Sequence, residues 1–198
     1  MTDWFLALVP DYGLWLVALT TFLSCLALPV PSSMLMLAAG GFAAAGDLTL
    51  TGAARAALAG AILGDQVGFG LGRAGGPALL ARIGARPARA AALEKARRLL
   101  DLRGPVAIFL TRWLFSPVGP WANLAAGAGG LAWARFTLWG VLGEMVWVGL
   151  YTGMGWIFAG NLEAAADLLS SGLGVLGGLG AMLLLGFWLR AVARDHSA

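Results

Sequence analysis

Residues 111–127 read TRWLFSPVGPWANLAAG. Apolar sequence flanks the stretch on both sides, yet it holds Arg112, Ser116, Pro117, Pro120 and Asn123. Proline inside a helix removes a hydrogen bond and clashes with the preceding turn. Residues 105–130 therefore read as two apolar halves around a break. In a bilayer, backbone at such a break must face protein or a water-filled cavity, because lipid offers it no hydrogen-bond partner.

The composition says that the surroundings are a bilayer. The chain is 60% hydrophobic and only 12% charged, with a mean hydropathy of +0.82; soluble domains carry about 25% charged residues. Its 30 glycines in 198 residues fit membrane helices, where glycine is common. A single cysteine, Cys25, excludes an internal disulfide framework and reads as a small core residue. The acidic start, with Asp3 and Asp11, argues against a signal peptide. The single histidine, His196, lies in the tail, which leaves no catalytic triad or histidine metal site in the apolar body. No nucleotide-binding or zinc motif is present, so no cofactor, no metal and no catalytic residue is expected. Positive charge concentrates between Arg73 and Arg103. In so apolar a chain this marks the cytoplasmic side of a membrane and not a nucleic-acid partner.

Working outward, residues 13–28 are apolar but short for a span of about 20 residues, and they run into PVPSS at 29–33 before a second apolar half at 34–46. This is a second broken hairpin. Asp47 is a candidate N-cap for a full span at 53–72, which carries Asp65 and a stripe of Gly60, Gly64, Gly68 and Gly72, with Gly76 just beyond. Spacing of four puts these glycines on one face for close helix contact, within the core or in a homodimer. Residues 73–104 form a basic amphipathic segment interrupted by Pro87, with Glu94 and Arg98 as an i,i+4 pair. A second long span covers 134–159 and carries Glu144, and a C-terminal transmembrane helix covers 172–194, with Arg190 and Arg194 near its end.

The chain repeats itself. GDQVGFGL at 64–71 matches GEMVWVGL at 143–150, and PVPSSMLMLAAG at 29–40 matches PVGPWANLAAG at 117–127. Each half is a broken hairpin followed by a span with a central carboxylate: 13–72 first, 105–159 second, within one membrane domain of 1–198. With the basic segment cytoplasmic and both hairpins re-entrant, the halves are inverted, as in many secondary transporters. The fold expected is all-α and polytopic, with two re-entrant hairpins in an inverted repeat.

After each break a half-helix begins, near Pro31, Ser32 and Ser33 in one half and near Pro120 in the other. Free N–H groups at such starts favour anions. Arg112 adds five donors shaped for phosphate or carboxylate. Substrate-binding candidates are thus Arg112, Ser33, Asn123, Pro31, Pro117 and Pro120. Asp65 and Glu144 would either couple protons or form an ion pair with Arg112, since a central charge costs about 2.5–3.5 kcal/mol on insertion scales. Arg55, Arg73 and Arg135 read as snorkelling at span ends. Trp113 and Trp121 flank the break and read as packing or interfacial residues.

These residues resemble the DedA family of VTT-domain (SNARE-associated) membrane proteins over about 20–160. PVPSSMLMLAAG is similar to its Pro-x-Pro…Ala-Gly segment, GDQVGFGLGRAGG to its Gly-Asp…Gly-Arg…Gly segment, and TRWLFSPVGPWANLAAG to its Arg-aromatic…Pro…Ala-Gly signature. Trp133, Arg135 and Phe136 match a Trp-x-Arg-Phe motif, and Gly143 and Trp147 approximate its Gly-x-x-Trp with one extra residue. The resemblance implies facing re-entrant hairpins and movement of lipids, among them polyprenyl phosphate and phospholipids, with proton dependence. Two departures stand out. Ser33 occupies the place of a common acid, and Val118, Gly119 and Pro120 stand where many members have a second arginine. The resulting expectation is a multi-pass protein of the bacterial inner membrane, not an enzyme, that moves an anionic-headgroup lipid. The alternatives are a solute or ion carrier and a non-transporting scaffold; a lipid-modifying enzyme ranks below both.

Overall fold

The computed structural model describes the backbone of residues 2–160 and the side chains of residues 12–160. The C-terminal helix expected at 172–194, with Arg190, Arg194 and His196, lies outside the described residues. Seven α-helices and one 3₁₀ turn make up the described part. They are α1 (Thr2–Ser24), α2 (Ser32–Ala45), α3 (Leu50–Ile83), α4 (Pro87–Arg103), α5 (Val106–Trp113), the turn Ser116–Val118, α6 (Gly119–Ala128) and α7 (Trp133–Ile157).

Proline and glycine punctuate this order. Pro31 sits at the N-cap of α2, and Pro87 and Pro120 lie in the first turns of α4 and α6, where a missing N–H costs nothing. Pro87 therefore starts a helix, where the sequence suggested that it interrupts one. Within α3, Gly76 adopts φ 53° and ψ −154°, a conformation that glycine alone tolerates well, and the helix kinks there before Pro77. The N-cap of α3 is Thr49, whose Oγ1 accepts from the Gly52 N–H at 3.1 Å; Asp47 does not take that role. The first arm is also longer than expected. α1 begins at Thr2 and has 23 residues, running through Pro10 and Asp11, whereas the apolar segment was expected to start at 13. Glu94 and Arg98 form no ion pair within 4.0 Å; among the described residues the ion pairs are those of Arg112.

The two halves exchange partners. α3 packs on α1 of its own half and on α6 of the other; α7 packs on α5 of its own half and on α2 of the other. α3 and α7 meet at the centre, joined by Gln66, which accepts from Trp133 Nε1 at 2.7 Å and donates to Thr137 at 3.2 Å. Glycines make these crossings close. A Cβ on Gly40 or Gly155 would strike backbone across the α2–α7 contact, and one on Gly72 or Gly127 would do so across α3–α6. The stripe at Gly60, Gly64, Gly68 and Gly72 faces α1 and then α6, so it serves the core.

Among the described residues, no helix is long and apolar enough to cross a membrane. For α7, length is not what falls short: its 25 residues rise about 37 Å at 1.5 Å each, against about 30 Å of hydrocarbon. The spans expected at 53–72 and 134–159 fall short in apolarity, because glycine, tryptophan, threonine and the central Asp65 and Glu144 occupy so many of their positions.

Candidate functional site: a buried arginine between two carboxylates

Arg112 lies at the end of α5, one residue before the helix stops at Trp113. Its side chain turns inward between the centres of α3 and α7. Nη2 lies 3.0 Å from Asp65 Oδ2 and donates to Asn123 Oδ1 at 2.7 Å. Asn123 Nδ2 in turn donates to Asp65 Oδ1 at 2.9 Å and to the Cys25 carbonyl at 3.4 Å. On its other edge, Nε lies 3.3 Å from Glu144 Oε1, near enough for an ion pair but not aligned as a hydrogen bond. The guanidinium carbon sits 5.8 Å from the centre of the Phe136 ring. Exposure is 4% for Arg112, 2% for Asp65, 1% for Glu144 and 0% for Asn123. The cluster is thus buried, and charges there must be paired to be tolerated.

The same local design builds both halves of the site. Gly64 precedes Asp65, and a Cβ on it would lie 2.5 Å from the Phe22 carbonyl oxygen and 2.8 Å from Cys25 Cβ. Gly143 precedes Glu144, and its Cβ would lie 2.8 Å from the Phe109 carbonyl oxygen and 2.6 Å from Arg112 Cγ. Each glycine lets the first arm of its own half approach the acid-bearing helix. Phe22 and Cys25 therefore correspond to Phe109 and Arg112, in FLSC at 22–25 and FLTR at 109–112. Cys25 is buried, in line with its reading as a small core residue, but its place opposite Arg112 went unnoticed. The signal was the pair of FLSC and FLTR.

Cys25, Asp65 and Glu144 each offer a ligand atom within 4.8 Å of the others, the spacing of a three-ligand cation site. Arg112, ion-paired to both carboxylates, already supplies positive charge at that point.

Two cavities lead toward the cluster. A chamber of about 40 Å³ is lined by Arg112, Glu144, Cys25, Ser116, Pro120 and Trp147, among others. Arg112 Nε, Glu144 Oε2 and Trp147 Nε1 are buried there without a hydrogen-bond partner. A vestibule of about 500 Å³ adjoins it, sharing Ser24, Ser116, Pro120 and Trp147. Its walls come from both breaks, with Pro31, Ser32 and Ser33 from the first and Ser116, Pro117 and Trp121 from the second. Of the residues singled out in the sequence, Arg112, Asn123, Asp65 and Glu144 meet in one cluster. Pro31, Ser33 and Pro117 stand in the outer vestibule, and Pro120 borders both spaces. Trp147, which also borders both, was not picked out as a site residue. Arg73 does more than snorkel: it donates to the Leu131 carbonyl at 2.8 Å and covers the Phe69 ring at 5.7 Å.

The chain is similar to known proteins. The VTT domain matches residues 30–157. Protein DedA of Escherichia coli K12 is 31% identical over 169 residues, 81% of this chain and 76% of that protein. A membrane protein of Synechocystis is 29% identical over 166 residues, 82% of this chain and 74% of that protein. No solved structure matches the chain.

Proposed function

This chain belongs to the VTT-domain family of DedA-like membrane proteins, and from that premise we propose that it moves a lipid with an anionic head group across the bacterial inner membrane. In this reading the two broken hairpins are re-entrant from opposite sides, and the protein is multi-pass. The exchange of partners between the halves supports an inverted repeat. The observation that carries the reading is a guanidinium at the inner end of a cavity system framed by both helix breaks. The chamber touches Arg112 on its Glu144 edge; Asp65 and Asn123 hold the opposite edge and do not line it.

A mechanism follows from the unequal strength of those contacts. Asp65 and Asn123 anchor Arg112 with short bonds, whereas Glu144 is unaligned and leaves Oε2 unpartnered. A phosphate oxygen arriving from the vestibule would displace Glu144 from Nε and take its place. With both carboxylates ionised the cluster carries one net negative charge, and one proton on Glu144 balances it, which links headgroup entry to proton uptake. The competing reading is a static ion-pair lock in a non-transporting scaffold, favoured by the complete burial of Arg112.

Reconstitution tests this. The whole chain is placed in vesicles carrying headgroup-labelled phospholipid or polyprenyl phosphate, with and without a pH gradient. Wild type is expected to move label faster than empty vesicles, and Glu144→Gln to lose that movement while remaining folded. Wild-type rates equal to those of empty vesicles would reject transport of those lipids. An active Glu144→Gln variant would reject the displacement mechanism.

A further inference from the structure

Arg112 brings one positive charge to a cluster that can hold three negative ones. Cys25 stands in the turn after α1, Asp65 on α3 and Glu144 on α7, and all three are buried. Their ligand atoms lie within 4.8 Å of one another. No motif announces this set in the sequence, because three distant segments supply it.

The guanidinium does not use the whole set. Its Nη2 meets Asp65 Oδ2 at 3.0 Å and its Nε meets Glu144 Oε1 at 3.3 Å. Each carboxylate thus gives one oxygen to Arg112 and keeps the other. Glu144 Oε2 is buried without a hydrogen-bond partner, and Glu144 lines the same small chamber as Cys25. Asp65 Oδ1 accepts from Asn123 at 2.9 Å and has a second lone pair to offer. Carboxylates that ligate a metal are commonly held in this way, by a hydrogen-bonding group that orients them from outside.

We infer that Cys25, Asp65 and Glu144 bind a divalent transition-metal cation of the zinc type, with Arg112 as the group that orients the two carboxylates. A thiolate and two carboxylates carry three negative charges, Arg112 carries one positive, and a divalent ion brings the cluster to neutrality. Sulfur among the ligands favours zinc-like ions over magnesium or calcium. Zinc–sulfur and zinc–oxygen bonds of about 2.3 and 2.0 Å at a tetrahedral angle set ligand atoms about 3.5 Å apart, so side-chain shifts of about 1 Å close the site. The thiol proton leaves to solvent as the metal–sulfur bond forms. The chamber of about 40 Å³ has room for a fourth ligand such as water, as in an open zinc site. Trp147 Nε1, buried there without a partner, is placed to donate to that ligand. The vestibule of about 500 Å³, which shares Ser24 and Ser116 with the chamber, is the way in. The inference does not depend on the transport reading, since metal binding is measured without any lipid.

Titration of the whole purified chain in maltoside micelles, free of any histidine tag, tests it, with Co²⁺ as the probe and Zn²⁺ as the competitor. Wild type is expected to take up one Co²⁺ per chain and to show a thiolate-to-metal charge-transfer band in the near ultraviolet. Zn²⁺ should abolish the band, and Mg²⁺ at the same concentration should leave it. Cys25 is the single cysteine, so the band reports on this site. Glu144→Gln keeps the thiol and should weaken Co²⁺ binding at least about tenfold, the scale on which even supporting groups around a metal act. Cys25→Ser should lose the band and weaken Zn²⁺ binding by at least as much, read by competition with a chromophoric chelator. Melting of each variant checks that it is folded. His196→Ala, which removes the single histidine, should leave the band unchanged. Absence of the band in wild type would overturn the inference. So would wild-type Co²⁺ affinity in Glu144→Gln, wild-type Zn²⁺ affinity in Cys25→Ser, displacement by Mg²⁺ as effective as by Zn²⁺, or loss of the band in His196→Ala.

Discussion

Three substitutions in the buried cluster should cost very different amounts of stability, although each removes one charge. Arg112→Ala leaves Asp65 and Glu144, at 2% and 1% exposure, facing each other without a cation. Removing one partner of a buried pair costs about 3–5 kcal/mol. Asp65→Asn keeps the shape but loses the 3.0 Å ion pair with Arg112. An asparagine oriented to accept from Asn123 turns its NH₂ toward the guanidinium, so the loss is about 1.5–3 kcal/mol, that of a hydrogen bond to a charged group. Glu144→Gln removes the excess negative charge, touches the unaligned 3.3 Å contact and leaves the Arg112–Asp65 pair neutral. It should cost about 1 kcal/mol, the net worth of an ordinary hydrogen bond, because Arg112 keeps Asp65 as its partner. For a chain of this size about 1 kcal/mol moves Tm by roughly 2–4 °C. Thermal unfolding of purified variants in detergent, followed by tryptophan fluorescence, should therefore show drops of about 6–20 °C for Arg112→Ala, about 3–12 °C for Asp65→Asn and about 4 °C at most for Glu144→Gln. If Glu144→Gln melts as low as Arg112→Ala, Glu144 is a structural anchor and the argument from unequal contacts fails. If Arg112→Ala melts like wild type, the two carboxylates do not depend on the guanidinium and the buried-pair argument fails.

Other consequences are simpler to check. Ala27, in the turn that follows α1, has φ 63°, a left-handed conformation costing an L-residue about 1–2 kcal/mol, so Ala27→Gly should raise Tm by roughly 2–8 °C. Gly155→Ala should destabilise by about 1–3 kcal/mol through overpacking, because its Cβ would strike the Leu37 backbone. Gly149→Ala, with nothing within 4 Å, should instead stabilise by up to about 1 kcal/mol from helix propensity; the same melting assay compares the two, and equal effects would refute the crossing geometry. Cys25, the single cysteine and buried, should resist a bulky maleimide in the folded protein and react once detergent and urea unfold it, as intact-mass measurement would show.

The sequence alone marked the breaks and the matching segments. Proline at 31, 117 and 120 acts through local geometry, so its effect is written where it stands. It also marked Arg112, Asp65 and Glu144, because a charge in apolar sequence must find a partner. What sequence left open was which partner. Arg112 meets both carboxylates and Asn123 because α5 packs on α7, α3 on α7 and α3 on α6, the last through close glycine crossings more than 50 residues apart in the chain. Periodicity reports which face of a helix is buried; only the packed structure decides against what, since that choice depends on shape complementarity summed over the whole interface.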